Sequence, residues 1–127
     1  MLSSILGEAS ALKMAYAGIG KGFQALGTAM ALGAARAGVT HHLVAELADS
    51  QPELYAWLRK MLPTMYAKAY RWDREMLEIS AFLEPERGAA DMFVGAAALY
   101  RHVADDQRIG ADSEIISILE AFISPSV

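Results

Sequence analysis

At 127 residues the chain fits one domain, long enough to bury a core and too short to hold a dinucleotide-binding domain together with a substrate domain. Hydrophobic residues make up 54% and the mean hydropathy is +0.24, rich for a soluble monomer, so part of the apolar surface is expected to lie against a partner chain or a further domain. A formal net charge of −4 gives no field to attract nucleic acid or anionic lipid, and the absence of cysteine excludes a disulfide scaffold, a thiolate zinc site and a cysteine nucleophile.

The opening run Met1-Leu2-Ser3-Ser4-Ile5-Leu6-Gly7 has no basic segment and no continuous apolar segment, so no export signal is expected and a cytoplasmic location suits the chain. A first helix is predicted from Ala9 to Ala37, closed by Gly38 in the left-handed position. Its longest charge-free stretch, Gly22 to Ala35, is roughly 14 residues against about 20 for a membrane span, which points to burial in protein rather than in lipid. Thr40 can cap a short second helix through Leu47. Ser50-Gln51-Pro52-Glu53 then combines a capping box with proline at the first turn of a third. Pro63 should break or kink that helix, with Thr64 to Ala69 continuing as another turn or two. Tyr70 to Leu83 forms a fourth segment. After Pro85-Glu86-Arg87-Gly88, Ala89 to Asp106 forms a fifth with Met92, Ala96, Leu99 and Val103 on its inner face. Asp112 or Ser113 caps a last helix to Phe122, with Ile115, Ile116, Leu119 and Phe122 as its apolar stripe. No segment alternates with period two, so the expected fold is all-α, a helical bundle built round one long N-terminal helix and forming a single domain over residues 1–127.

The first helix carries small residues almost all round, among them Ala9, Ala15, Gly18, Gly20, Gly22, Ala25, Gly27, Ala31, Gly33 and Ala34. A mid-helix glycine costs up to about 1 kcal/mol relative to alanine, so close packing must offset several of them and the helix should be central. Small side chains let a neighbouring backbone or a ligand approach closely. At about 100° per residue, Ala17 lies about 40°, Gly20 and Gln24 about 20°, and Lys21 about 80° from the direction of Lys13, so one half-face mixes two cations with unhindered backbone. A lysine in an apolar wall loses hydration, its pKa falls, and it can exchange a proton with a carbonyl or hydroxyl group. The same lysine can instead snorkel to water from the first turns of the helix, and periodicity does not choose between the two.

The run Gly7 to Gly22, with Ala9-Ser10-Ala11-Leu12-Lys13-Met14 followed by Lys21-Gly22, resembles the interdomain helix of the 3-hydroxyacid dehydrogenases, a group that includes 6-phosphogluconate and 3-hydroxyisobutyrate dehydrogenases. Together with Ser50-Gln51-Pro52 and Lys68-Ala69-Tyr70-Arg71-Trp72, it resembles the C-terminal domain of a phosphogluconate-dehydrogenase-like branch, a likeness that spans Gly7 to His102. The resemblance implies a 6-phosphogluconate dehydrogenase C-terminal-domain-like bundle that pairs as a homodimer and works with an N-terminal Rossmann domain, absent from this chain, that binds NAD or NADP. It makes Lys13 the match to the family's catalytic lysine, the proton donor and acceptor beside the nicotinamide. The asparagine the family places four residues on is Ala17, and the glutamate that 6-phosphogluconate dehydrogenases place seven on is Gly20. The implied activity is therefore hydride transfer on a small 3-hydroxy acid or keto acid, a carboxylate substrate, rather than decarboxylation of 6-phosphogluconate. Lys21 is a substitute cation or a member of an ion pair, and Tyr16 is carried with it as a binding residue.

The run Lys68-Ala69-Tyr70-Arg71-Trp72-Asp73-Arg74 offers cations and two aromatics over two helical turns, suited to a carboxylate or phosphate and to stacking on a flat ring. It can equally be an amphipathic helix start with Arg71 and Arg74 solvated and Tyr70 or Trp72 in the core. By the resemblance Lys68 takes the position of a lysine that faces cofactor and substrate, with Ala69 replacing its aspartate partner. Lys68, Lys21, Tyr16, Tyr70, Arg71 and Trp72 are thus the candidate binding residues beside Lys13. His41-His42 and His102 have no metal-site spacing, the Asp105-Asp106 pair reads as a solvated helix end, and no metal, nucleic-acid or membrane partner is expected. The competing reading is a non-catalytic helical module for dimerisation or ligand binding.

Overall fold

The computed structural model describes residues 2–125. Its order is α1 (Leu2–Ala37), α2 (Thr40–Ser50), α3 (Pro52–Met65), α4 (Ala69–Phe82), α5 (Arg87–Gln107), a 3-10 turn at Gly110–Asp112, and α6 (Glu114–Ile123). The all-α expectation holds, and among the described residues there is no strand.

The long first helix ends where the glycine requires. Gly38 sits at φ 76, and the amides of Gly38 and Val39 donate to the carbonyls of Ala35 and Ala34, which satisfies the last turn of α1. It begins at Leu2 rather than Ala9, because Gly7 is the sole breaker in that run and a helix tolerates one. The start of α2 differs from expectation: Val39 holds the N-cap position with no side-chain cap, Thr40 is already helical, and the helix continues to Ser50. Ser50 therefore belongs to α2, donating its hydroxyl to the Glu46 carbonyl at 2.8 Å, so the capping box does not form and Gln51 stands at the N-cap of α3. Pro52 does open α3. Pro63 does not break it: the proline falls in the last turn, where one lost amide bond ends little, and Thr64 donates to the Met61 carbonyl at 2.6 Å across that turn.

The segments α4 and α5 form a hairpin, clipped by Ser80 donating to the Ala90 carbonyl at 2.9 Å near the turn and by Arg101 on Asp73 at 3.4 Å further along. The inner face of α5 centres on Tyr100, with Ala96, Ala97, Val103 and Ala104 around it. Met92 and Leu99 stand about 80–100° round the helix from Tyr100, which is why Met92 is 71% exposed and Leu99 half-buried, against the expected stripe. Ser113 caps α6 as expected, accepting from the Ile116 amide at 3.2 Å. Asp106 is no solvated end: its carboxylate accepts from the Ser113 hydroxyl and from the Ile115 amide at 2.9 Å, placing negative charge at the N-terminus of α6. Asp105 is the exposed one, paired with Arg108. The far end of α6 is tied to α3, where Tyr55 donates to the Phe122 carbonyl at 2.5 Å and Arg59 to the Ile123 carbonyl at 2.8 Å. One cluster of buried residues draws on all six helices, from Ala25 and Ala31 of α1 through Leu62, Met65 and Met76 to Leu119 and Phe122.

Candidate ligand cavity between α1 and α3

Two helical lines face each other across a cavity of about 730 Å³, the size of a small-molecule site. From α1 come Tyr16, Ala17, Gly20, Lys21 and Gln24, and from α3 and the turn after it come Leu54, Trp57, Met61, Thr64 and Lys68. The second set is spaced three, four, three and four, one line along a helix, so a single face of α3 extended through Lys68 builds that wall. Ile19 and Phe23 of α1 and Trp72 of α4 complete the lining, with Phe23 edge-on to Trp57 at a centroid distance of 6.1 Å.

The polar groups are few and placed on this apolar frame. Lys21 donates to Glu75 at 2.6 Å, and its ammonium also stands 5.1 Å from the centroid of the Trp72 ring. Trp72 is buried, held edge-on by Tyr100 at 5.3 Å, and the Tyr100 hydroxyl donates to the Lys21 backbone carbonyl. Lys21 is thus fixed by three neighbours, its charge matched by Glu75. Lys68 is exposed at the cavity edge and has no ion-pair partner among the described residues. Gln24 is 3% exposed, and its Oε1 is buried with no hydrogen-bond partner. A buried amide oxygen left unpaired costs about 1–3 kcal/mol, so this wall holds an acceptor that a ligand hydroxyl or amine would satisfy.

Of the seven residues singled out from the sequence, Tyr16, Lys21, Lys68 and Trp72 come together here. Tyr70 and Arg71 do not: the buried face of α4 is Ala69, Trp72, Met76 and Ile79, and these two point away from it into solvent. Lys13 lies on the same line of α1 as Tyr16, Ala17, Gly20 and Gln24, one turn beyond the cavity, and is exposed. Of the two settings open to it, an apolar wall or solvent, the described residues leave it in solvent. Sequence reasoning passed over Trp57, Thr64 and Glu75, and used Gln24 only as a direction on α1. The heptad-like line from Leu54 to Lys68 was the available signal, hidden by the expectation that Pro63 ends the helix.

Among the described residues no three metal-ligating side chains converge, and no helix is long and apolar enough to cross a membrane. The fold and cavity define an all-helical domain with a small basic and aromatic pocket beside its longest helix. Residues 34–103, more than half of the chain, match the family described as a domain of unknown function (DUF1932), and the chain belongs to that family. This family is a C-terminal helical domain associated with 3-hydroxyacid dehydrogenase-like proteins. The matched span includes Lys68 to Trp72 and begins after Lys13, Tyr16 and Lys21. No curated protein and no solved structure matches the chain.

Proposed function

We propose that this chain is the substrate-binding and dimerisation domain of a cytoplasmic NAD(P)-dependent oxidoreductase acting on a small 3-hydroxy acid or keto acid, and that a Rossmann domain brings the nucleotide. The observation that carries the reading is the cavity between α1 and α3, which collects Lys68, the Lys21–Glu75 pair, both tryptophans and the unpartnered Gln24 oxygen on one apolar frame. Lys68 attracts the carboxylate, and Gln24 accepts from the substrate hydroxyl. Lys13, one turn further along the same face, donates or accepts the proton while hydride moves between substrate and nicotinamide. Its ammonium needs a covering surface to lose hydration, and that cover comes from outside the bundle.

Both tryptophans of the chain line the cavity, so their fluorescence reports on binding. Titration with a panel of 3-hydroxy and keto acids is expected to change it saturably, and Lys68→Ala should weaken the response about tenfold, the worth of one charge-assisted hydrogen bond. A flat signal across the panel overturns the substrate assignment. In the enzyme carrying its nucleotide domain, Lys13→Ala is expected to lower kcat by about 100- to 10,000-fold, the usual contribution of a general acid or base. Unchanged turnover removes Lys13 from the mechanism. The exposure of Lys13 outside the cavity favours one other reading, a helical module that binds ligand without catalysis, and under it acid binding would persist while no nucleotide-dependent turnover is found.

A further inference from the structure

The cavity between α1 and α3 is larger than a minimal hydroxy acid requires. A four-carbon hydroxy acid has about seven heavy atoms, and at roughly the 30 Å³ that a water molecule takes in the liquid it fills about 200 Å³. The cavity holds about 730 Å³. More than half of it is left for another part of the ligand.

The course of α1 shows where that remainder lies. The helix passes α4 first, with Gly18 facing Ile79 and Lys21 over the Trp72 ring, and α3 later, with Phe23 edge-on to Trp57 and Gly27 facing Leu58. The cavity therefore has an α4 end, toward Lys13, and an α3 end away from it. At the α4 end stand Lys21, Lys68 and Trp72, with Gln24 three positions on from Lys21. The Lys21 charge is matched by Glu75, and the Thr64 hydroxyl is already donated to the Met61 carbonyl. Lys68 and the buried, unpartnered Gln24 oxygen remain, which suits one carboxylate and one hydroxyl.

At the α3 end the lining is Phe23, Leu54, Trp57 and Met61, whose one N–H is the Trp57 indole. Each further hydroxyl of a sugar acid would lose its water there for want of partners, a costly burial. A phosphate would find the Lys21 charge already taken. A flat apolar group meets the opposite setting: Trp57 is half-buried and turns part of its ring to the cavity, with Phe23 and Leu54 at the mouth.

We propose that the substrate is a 3-hydroxy or keto acid bearing an aryl or similarly bulky apolar group on the reacting carbon. Its acid head is held at Lys68 and Gln24, and its apolar group is seated against Trp57, Phe23, Leu54 and Met61. The inference rests on the acid reading of the cavity given above and narrows its substrate class.

Calorimetric titration of the 127-residue chain with 3-hydroxy-3-phenylpropionate and with 3-hydroxybutyrate compares a phenyl with a methyl group on the same head. The phenyl acid is expected to bind more tightly by about tenfold or more, the usual return for burying one ring. The polyhydroxylated and phosphorylated 6-phosphogluconate should bind more weakly than either. Trp57→Ala should cost the phenyl acid about tenfold more than it costs 3-hydroxybutyrate. Leu54→Ala, at a position 37% exposed, should show the same preference on a smaller scale and serves if the tryptophan variant misfolds. Equal affinities for the phenyl and methyl acids, or tightest binding of 6-phosphogluconate, overturn the inference. If Lys68→Ala still weakens the acids in that case, the acid reading stands without it. Absence of binding by all three acids overturns the acid reading, and this inference with it.

Discussion

The two faces of α1 invert the usual amphipathic helix. The inner face is mostly small or short, with Gly18, Ala25, Gly27, Thr28, Ala31 and Ala34 all buried and Gln24 the one long side chain among them, while the outer face carries leucine, isoleucine, phenylalanine and methionine in the open. A helix inside a bundle normally inserts large side chains into its neighbours. Here the neighbours insert into it: a Cβ at Gly27 would meet the Leu58 methyl at 2.7 Å, and one at Gly22 would meet the Phe93 ring at 3.4 Å. The difference teaches that α1 is a smooth axle for the other five helices and a ridge for something outside them. Its charge pattern agrees, since Lys21 is tethered within while Lys13 is exposed.

The largest effect should follow from roughening the axle. Ala31 is fully buried, and Ala31→Leu would force extra methylenes into a packed interior, an expected loss of about 1–3 kcal/mol in urea denaturation. The neighbouring Met30→Leu lies on the ridge and should stay within about 0.5 kcal/mol under monomeric conditions. Comparable losses at the two positions would dissolve the contrast between the faces.

A smaller effect is expected where α5 grips the axle, at the Tyr100 hydroxyl on the Lys21 carbonyl. Tyr100→Phe removes one buried hydrogen bond, worth about 0.5–1.5 kcal/mol at neutral pH. Burial pushes the Tyr100 phenol above its ordinary value near 10, with the Ala25 backbone amide opposing, and burial likewise raises Tyr66, with Glu120 adding to the shift. The folded state then keeps protons that the unfolded chain gives up, so stability is complete below about pH 10 and falls as the pH rises above it. Tyr100→Phe should make that alkaline fall shallower. An identical pH profile for the variant would mean that Tyr100 is not the group that titrates.

These residues also mark what could be read from the sequence. The helix ends were legible wherever a backbone constraint is local: Gly38 stops α1, Pro52 opens α3, and Ser113 caps α6. Cap chemistry was not legible at Ser50, because whether its hydroxyl serves the helix behind or the one ahead depends on where α2 ends. Small residues announced that α1 is central without saying which face looks inward. Of the residues singled out, Lys21, Lys68, Tyr16 and Trp72 line one cavity, although nothing in their spacing tells that Glu75 claims Lys21 or that Gln24 is left unpaired. Those depend on α4 and α3 crossing α1, contacts between positions far apart in the chain. Tyr70 and Arg71 lie off the cavity for a simpler reason: a run of adjacent residues on a helix cannot all face one side.

The smallest predicted change carries the opposite sign. Gly33 lies on α1 with nothing within 4 Å of where a Cβ would stand, so Gly33→Ala removes a backbone entropy cost without meeting a neighbour. It should stabilise the chain by about 0.4–1 kcal/mol. At Gly27 the same substitution has the same intrinsic gain, but its Cβ must displace a methyl of buried Leu58, and the net gain should be smaller or reversed. The difference between the two variants, measured side by side, isolates what the neighbouring helices ask of α1 from what a helix asks of any residue. Equal gains at both sites would mean that Leu58 yields freely and that the smoothness of the inner face at Gly27 is not required for packing.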